Sequence, residues 1–170
     1  MDRMIRAVGC VILLGWVIAF VPCEAQSMPT TEGETLAGQH SVLAEAVRGH
    51  AVLVIASFSK DAGKLADEWT KAVKGDASLA SVTVFQAAML QQAPGFIRGM
   101  IKAGMRKDVP AADLGRFFVF TADESLWRTY FGVTTDKDPY IVLIDAAGQV
   151  RWHGHGAATN LEPLIKDALR

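Results

Sequence analysis

The sequence predicts an α/β fold with a central mixed sheet and helices on both faces. Short apolar runs alternate with helical patterns from residue 41 to the C-terminus, which is typical of a layered α/β domain. The run over residues 51–58, AVLVIASF, is apolar almost throughout, as expected for a central strand that is covered on both sides. The chain closes in the order strand, turn, strand, helix, so a final hairpin would add an antiparallel edge to a largely parallel sheet.

The first 25 residues have the features of a secretory signal peptide. Arg3 and Arg6 precede an apolar run over residues 7–21, and small residues occur three positions before and one position before the expected cleavage point, which follows Ala25. The run is shorter than the roughly 18 to 20 apolar residues that span a bilayer. We therefore expect cleavage and export to the periplasm, whereas an uncleaved leader would tether the chain to the inner membrane.

The two cysteines of the chain, Cys10 and Cys23, both lie in this leader. A chain cut after Ala25 therefore has no thiol and no disulfide, and its stability in an oxidising compartment must come from its core. The composition, 51% hydrophobic residues, allows one well-filled domain. The formal net charge of −1 gives no reason to expect nucleic acid as a partner.

The elements of the domain are expected over residues 41–170, after a polar segment, 26–40, that we expect to be a flexible lead-in. A helix is predicted from Ser59 to Gly75, because apolar side chains recur every four residues and glycine ends the pattern. The other predicted elements of this half are a short helix at 41–47, strands at 51–58, 82–88 and 116–120, and an apolar helix from Pro94 to about residue 107.

The second half opens with a predicted capping box at residues 121–124, followed by a helix that carries Leu126, Trp127 and Tyr130. Asp138-Pro139 is a turn signal that precedes an apolar strand at 140–144. Turn residues at 145–148 lead into a second strand, in which Val150, Trp152 and Gly154 alternate. Another capping box, at 159–162, opens the final helix.

This closing order, with Pro139 directly before a strand, resembles the C-terminal half of a thioredoxin-like fold. The resemblance implies a cis peptide bond before Pro139 and a proline that faces the loop after the central strand. That loop reads ASFSKDA at 56–62, and against the A-S-W-C-x-x-C pattern of exported thiol oxidoreductases Ser59 and Ala62 occupy the two cysteine positions. Because a serine without an adjacent base is a poor nucleophile, we expect Ser59 to cap the helix instead.

Three stretches are similar to the family of mitochondrial ATP synthase assembly factors known as factor ten and its bacterial relatives. These stretches are the basic apolar helix that runs into Pro110, the aromatic strand RFFVF at 116–120, and the hairpin VLIDAAGQVRWHGHG at 142–156. The resemblance implies a redoxin relative without catalytic thiols that binds a protein partner, such as a subunit of a membrane complex, and helps it assemble.

A different class of function stays open, an enzyme of the same fold that uses groups other than cysteine. Its candidates are Ser59, Asp61 and the histidines. His153 and His155 share one face of a predicted strand, a spacing that can hold a metal, but no third ligand is evident nearby. We expect no metal and no other cofactor.

The helix over 94–107 is the predicted surface for a partner or a membrane. The helix has an apolar stripe on one side and, on a separate side, a ridge of basic residues that are spaced four apart. No acidic residue occurs between Gln91 and Lys107. Such uncompensated positive charge is typical of cationic interfacial and partner-docking helices. The alternative is that the stripe packs on the sheet and the ridge is merely solvated. The candidate binding residues are Phe96, Arg98, Met100, Lys102, Met105 and Arg106.

Overall fold

The computed structural model of the chain describes residues 27–159 and Leu161. The predicted leader and the predicted final helix lie outside these residues. The strands are β1 (Glu32–Thr35), β2 (His40–Val42), β3 (Val52–Ser57), β4 (Thr83–Met89), β5 (Phe117–Phe120), β6 (Tyr140–Ile144) and β7 (Val150–His155). The helices are α1 (Leu43–Ala46), α2 (Lys60–Gly75), α3 (Gly95–Asp108) and α4 (Glu124–Phe131), with short 3-10 helices at Ala77–Leu79 and Ala111–Arg116.

The strands form one mixed sheet in the order β2-β1-β5-β4-β3-β6-β7. Its centre is parallel, because β4 pairs in parallel with both β3 and β5. The β6–β7 hairpin adds an antiparallel edge beside β3, as predicted. A second hairpin, β1–β2, pairs antiparallel with β5 at the opposite edge. The predicted α/β fold with a central mixed sheet is therefore confirmed.

Helices cover both faces of the sheet, because successive side chains of a strand point to opposite sides. On one face, Val54 of β3 belongs to a core cluster with Trp127 of α4. On the other face, Ile55 belongs to a cluster with Trp69 of α2. Helix α3 covers that second face near β5, where Met105 packs against a third core cluster, which contains Phe117 and Val119. The sheet is thus buried from both sides, as its apolar strands predicted.

The expectation that residues 26–40 form a flexible lead-in is wrong for the second half of this segment. This polar segment forms β1 and the turn into β2, with Gly38 at φ 85° in the turn. Leu36, which follows β1, is only 1% exposed. Upstream of β1, Thr31 Oγ1 accepts a hydrogen bond of 3.0 Å from Trp127 Nε1. A polar sequence forms a strand here because it lies near the edge of the sheet, where one side remains solvated.

The start of α4 also differs from the prediction, because residues 121–124 do not form a capping box. Asp123 is the N-cap, in a left-handed conformation with φ 57°, and its side chain makes no capping hydrogen bond. Instead, the backbone N–H of Glu124 donates to Gln91 Oε1 over 2.8 Å. The Glu124 side chain is not available to close a box, since it accepts hydrogen bonds from Gln92 and Arg128.

The Asp138–Pro139 peptide bond is trans, so the cis bond that the resemblance implied is wrong. The trans form is the lower in free energy by about 0.5 to 1 kcal/mol for such bonds. Contacts elsewhere hold this loop: the Tyr140 hydroxyl accepts from the backbone N–H groups of Thr134 and Thr135, and Gly156 N–H donates to the Pro139 carbonyl. The sheet topology, and not this bond, carries the thioredoxin-like assignment.

Candidate functional site

The carboxyl end of β3 lies beside the loop that precedes β6. Strand β3 ends at Ser57 and α2 begins at Lys60, so the chain turns through Phe58 and Ser59 at this edge. Because β6 is antiparallel to β3, with Tyr140 opposite Ala56, the loop before β6 comes to the same place. This is the position at which the sequence comparison with thiol oxidoreductases placed Ser59 and Ala62.

Ser59 joins these two segments. Its Oγ accepts the backbone N–H of Ala62 over 3.1 Å, so the prediction that Ser59 caps the helix is confirmed. The same hydroxyl donates to the Asp136 carbonyl over 2.5 Å. A neutral carbonyl cannot take the hydroxyl proton, so nothing in this contact activates Ser59 as a nucleophile.

The other two residues of the predicted degenerate loop are buried. Ala62 is 0% exposed in the first turn of α2, and Pro139 is buried at the start of β6. The loop that ends at Pro139 faces Ser59 through Asp136, three residues earlier. The structure thus brings all three sequence-predicted residues to one edge of the sheet, where only Ser59 is exposed to solvent.

An ion network that the sequence did not predict lies beside Ser59. Arg128 of α4 donates through Nε to Glu124 Oε1 over 2.8 Å and through a terminal nitrogen to Asp136 Oδ1 over 2.7 Å. Its guanidinium carbon lies 4.9 Å from the centroid of the Phe58 ring. Glu124 is 5% exposed and also accepts from Gln92 Nε2 over 2.7 Å. The network therefore connects α4, the loop before β6 and the end of β3.

Arg128 and Asp136 hold each other in the ionised state. The hydrogen bond from Arg128 lowers the pKa of Asp136, and the hydrogen bond to Asp136 raises the pKa of Arg128. A carboxylate that is paired with a guanidinium is a weak base, so Asp136 is poorly suited to general-base catalysis. The i,i+4 spacing of Glu124 and Arg128 is a signal in the sequence that could have indicated half of the network.

Two of the remaining candidates for non-cysteine chemistry, Asp61 and His155, are also paired. Asp61 lies 2.8 Å from Lys64, and the hydrogen bond from that lysine lowers the pKa of the aspartate. His155 Nδ1 lies 3.1 Å from Asp138 Oδ2, and its ring stacks on Tyr140. In the described part of the chain, no three His, Cys, Asp or Glu side chains are grouped as a metal would require. The expectation that the protein holds no metal stays a prediction.

Helix α3 divides the predicted binding residues between its two sides. Phe96 is 89% exposed and Met100 is 70% exposed. Met105 instead packs against the core cluster that contains Phe117 and Val119. The apolar stripe thus contains both core contacts and side chains that project into solvent.

The charge of Lys102 is compensated, contrary to the expectation for the basic ridge. Its Nζ lies 2.6 Å from Glu34 Oε2, and both side chains are about three-quarters buried. Glu34 belongs to β1, which lies 68 positions earlier in the sequence. The absence of acidic residues near Lys102 in the sequence could not reveal this partner, because the sheet brings the two residues together.

The two arginines of the ridge bind main-chain carbonyl groups. Arg98 donates from Nε to Ala93 O and from a terminal nitrogen to Gln91 O, each over 2.8 Å. Arg106 donates from Nε to Leu36 O over 2.7 Å. A carbonyl group carries no net charge, so these bonds orient the guanidinium groups without neutralising them.

A surface cavity of about 360 Å³ lies between α2, the end of α3 and β5. Charged side chains of both signs line it, and two of them, Lys74 and Arg116, pair with Asp113. Gln86 on its floor donates to Thr70 Oγ1 over 2.6 Å. These polar groups satisfy one another only in part, because the buried Arg116 Nε has no hydrogen-bond partner among the described residues. The mixture of charges in the lining indicates no particular ligand. No helix in the described part of the chain is long and apolar enough to cross a bilayer.

Several solved structures share this architecture. The exposed lipoprotein thioredoxin Etrx1 of Streptococcus pneumoniae has a TM-score of 0.54 and 15% identity, over 82% of this chain and 97% of that chain. A thioredoxin family thiol:disulfide interchange protein from Chlorobium tepidum has a TM-score of 0.51 and 16% identity, over 85% and 96%. A SCO1/SenC family lipoprotein from Bacillus anthracis has a TM-score of 0.59 and 11% identity, over 86% and 95%. At these identities the likeness shows the thioredoxin-like fold.

No curated protein sequence matches the chain. A family model described as the ATP10 protein, however, matches residues 17–166. This match includes every strand and helix described above and the three stretches on which the sequence resemblance depended. The chain therefore belongs to the ATP10 protein family.

Proposed function

We propose that this chain is an exported thioredoxin-like protein that performs no thiol redox chemistry and acts by binding a protein partner during the assembly of a membrane complex. The family to which it belongs supports assembly as the process, with ATP synthase as the complex. The leader-like first 25 residues support export.

The observation that carries the proposal is the bonding of Ser59. At the edge where thiol oxidoreductases of this fold react, the chain has a hydroxyl that caps α2 and donates to the Asp136 carbonyl. A thiol at a helix N-terminus is useful because its pKa falls and a thiolate forms. A serine hydroxyl gains nothing comparable, so its contribution here is structural.

The ion network supports binding over catalysis at the same edge. Arg128 holds the loop before β6 against α4 through Asp136, so the loop is fixed before any partner arrives. A preformed surface costs less entropy on binding than a surface that must become ordered. The same rigidity would hinder a catalytic cycle that needs the two segments to move apart.

Thiol independence can be tested with the two cysteines of the chain. We expect the variant Cys10→Ser/Cys23→Ser to support assembly of the ATP synthase membrane sector as well as the parent does, in cells that lack the chromosomal copy. Assembly is measured by native electrophoresis of envelope membranes. If the variant accumulates and is processed normally, as its intact mass would show, but assembly fails, the protein uses a thiol and the proposal is wrong.

Partner binding can be tested by affinity purification from the cell envelope after chemical crosslinking. We expect one membrane-complex subunit in stoichiometric amount. The test variant is Ser59→Ala/Arg128→Met/Asp136→Asn, which removes the contacts that fix the loop. If this variant stays folded, it should recover less of that subunit than the parent does. Normal membrane complexes in cells without the chain, together with no recovered subunit, would contradict the assembly role.

A further inference from the structure

The outer face of α3 has no polar side chain over its first ten residues. Phe96 and Met100 lie one helical turn apart on this face and are the most exposed large hydrophobic side chains in the described part of the chain. Leu126 on α4 and Val150 on β7 are less exposed, at 51% and 46%. The exposed residues between 95 and 104 are Gly95, Phe96, Gly99, Met100, Ala103 and Gly104.

Positive charge surrounds this face and is compensated only in part. Arg98 and Arg106 donate to main-chain carbonyls, which leave their charge intact. Lys107 is exposed near the end of the helix, next to the exposed Asp108. Glu34 neutralises Lys102, and Asp108 offsets one further positive charge, so the helix keeps a net positive charge. The outer face of α3 thus combines projecting apolar side chains with a net positive rim.

We propose that this face lies against an anionic lipid bilayer, with Phe96 and Met100 inserted among the headgroups and Arg106 and Lys107 at the level of the phosphates. Lipids supply the negative charge that the rim lacks. They also accept projecting side chains without a complementary shape, whereas a protein partner or a second copy would have to fill the gaps above Gly99 and Ala103. The inference stands apart from the proposed function, because it concerns α3 and not the Ser59 edge.

The apolar part is tested by sedimentation of the protein with vesicles of phosphatidylcholine and phosphatidylglycerol in equal amounts. Phe96→Gln/Met100→Gln should bind at least about tenfold more weakly than the parent, since two apolar side chains no longer enter the interface. The matched control is Leu126→Gln/Val150→Gln, which removes the other two exposed hydrophobic side chains and should bind like the parent. Equal binding by all three proteins would overturn the proposal.

The electrostatic part is tested with single charges. Lys107→Gln should weaken binding about fivefold, because one basic residue near an anionic surface contributes about that factor. Arg48→Gln, a matched change at an exposed arginine after α1, should have little effect. The parent should bind vesicles of phosphatidylcholine alone much more weakly. Binding that ignores vesicle charge would contradict the proposal.

Amide hydrogen exchange tests whether α3 itself, and not only the leader, contacts the vesicles. Vesicles containing phosphatidylglycerol should slow exchange of the α3 amides in the parent and not in Phe96→Gln/Met100→Gln. If these amides are instead protected only by an envelope protein, or only by raised protein concentration, the occupant is a protein partner or a second copy and the membrane proposal is wrong. Assembly of the ATP synthase membrane sector in either case is a separate result that tests the proposed function.

Discussion

Arg128 offers the strongest test of the network beside Ser59, through the substitution Arg128→Met. Methionine keeps much of the apolar stem and removes the charge. It leaves Glu124, which is 5% exposed, with Gln92 as its remaining side-chain partner. We therefore expect the loss to come mainly from a buried carboxylate without a counterion.

The size of the loss follows from the contacts. The bond to the buried Glu124 should contribute about 2 kcal/mol, within the range for charge-assisted hydrogen bonds. The Asp136 side chain is 45% exposed, so that contact should contribute only about 0.5 kcal/mol. The guanidinium above Phe58 should add about 0.5 kcal/mol. We expect Arg128→Met to lower the free energy of unfolding by about 3 kcal/mol.

Urea unfolding followed by circular dichroism measures this change, with Arg151→Met as the matched control. Arg151 lies 3.8 Å from Asp145 at the surface, so its loss should cost less than about 0.5 kcal/mol. Adding Glu124→Gln to Arg128→Met should recover about 1 to 2 kcal/mol, because the unpaired charge is removed. A loss no larger than that of the control, or no recovery in the double variant, would refute the reasoning.

Three further predictions concern stability. Ser59→Ala should lower the free energy of unfolding by about 1 kcal/mol, as loss of an N-cap does, and an unchanged urea midpoint would contradict the capping role. Gly33→Ala should destabilise the protein by about 1 to 3 kcal/mol, because the new Cβ would lie 2.7 Å from the buried Phe120 ring. The control Gly99→Ala has open space around it and should stabilise the protein by about 0.5 to 1 kcal/mol. Thermal melts of the two variants measure both changes. The pKa of Asp136 lies below its ordinary value of 3.8, so the stability that this carboxylate contributes is present above about pH 4 and is lost as the pH falls through the lowered pKa. In urea titrations at falling pH, Asp136→Asn should therefore lose less stability than the parent does.

Five of the seven strands and the long helices could be predicted because their signals are local. The buried runs that became β3 and β6, for example, are continuous in the sequence and need no partner to be recognised. Strand β1 was missed because it is short and polar and forms only by pairing with β5. The helix start at α4 was predicted wrongly because the side-chain oxygen of Gln91, 33 positions earlier, accepts the Glu124 N–H in place of a local capping side chain.

The candidate site was predictable in position and not in chemistry. A loop after the central strand and a proline before the next hairpin indicated where Ser59, Ala62 and Pro139 would meet. The pairing of Arg128 with Asp136, and of Lys102 with Glu34, depends on distances between elements that no local pattern contains. Uncompensated charge in a sequence window therefore says little about compensation in the fold.

The contacts of Ser59 also bear on how such a protein can change over evolutionary time. Two substitutions, Ser59→Cys and Ala62→Cys, would place a dithiol pair at this loop. The first would remove the hydroxyl that ties the loop to α2, and the second would place a sulfur where no surface is exposed. Both changes should lower stability before either confers reactivity, so a chain that gained this dithiol would need compensating substitutions elsewhere in the core.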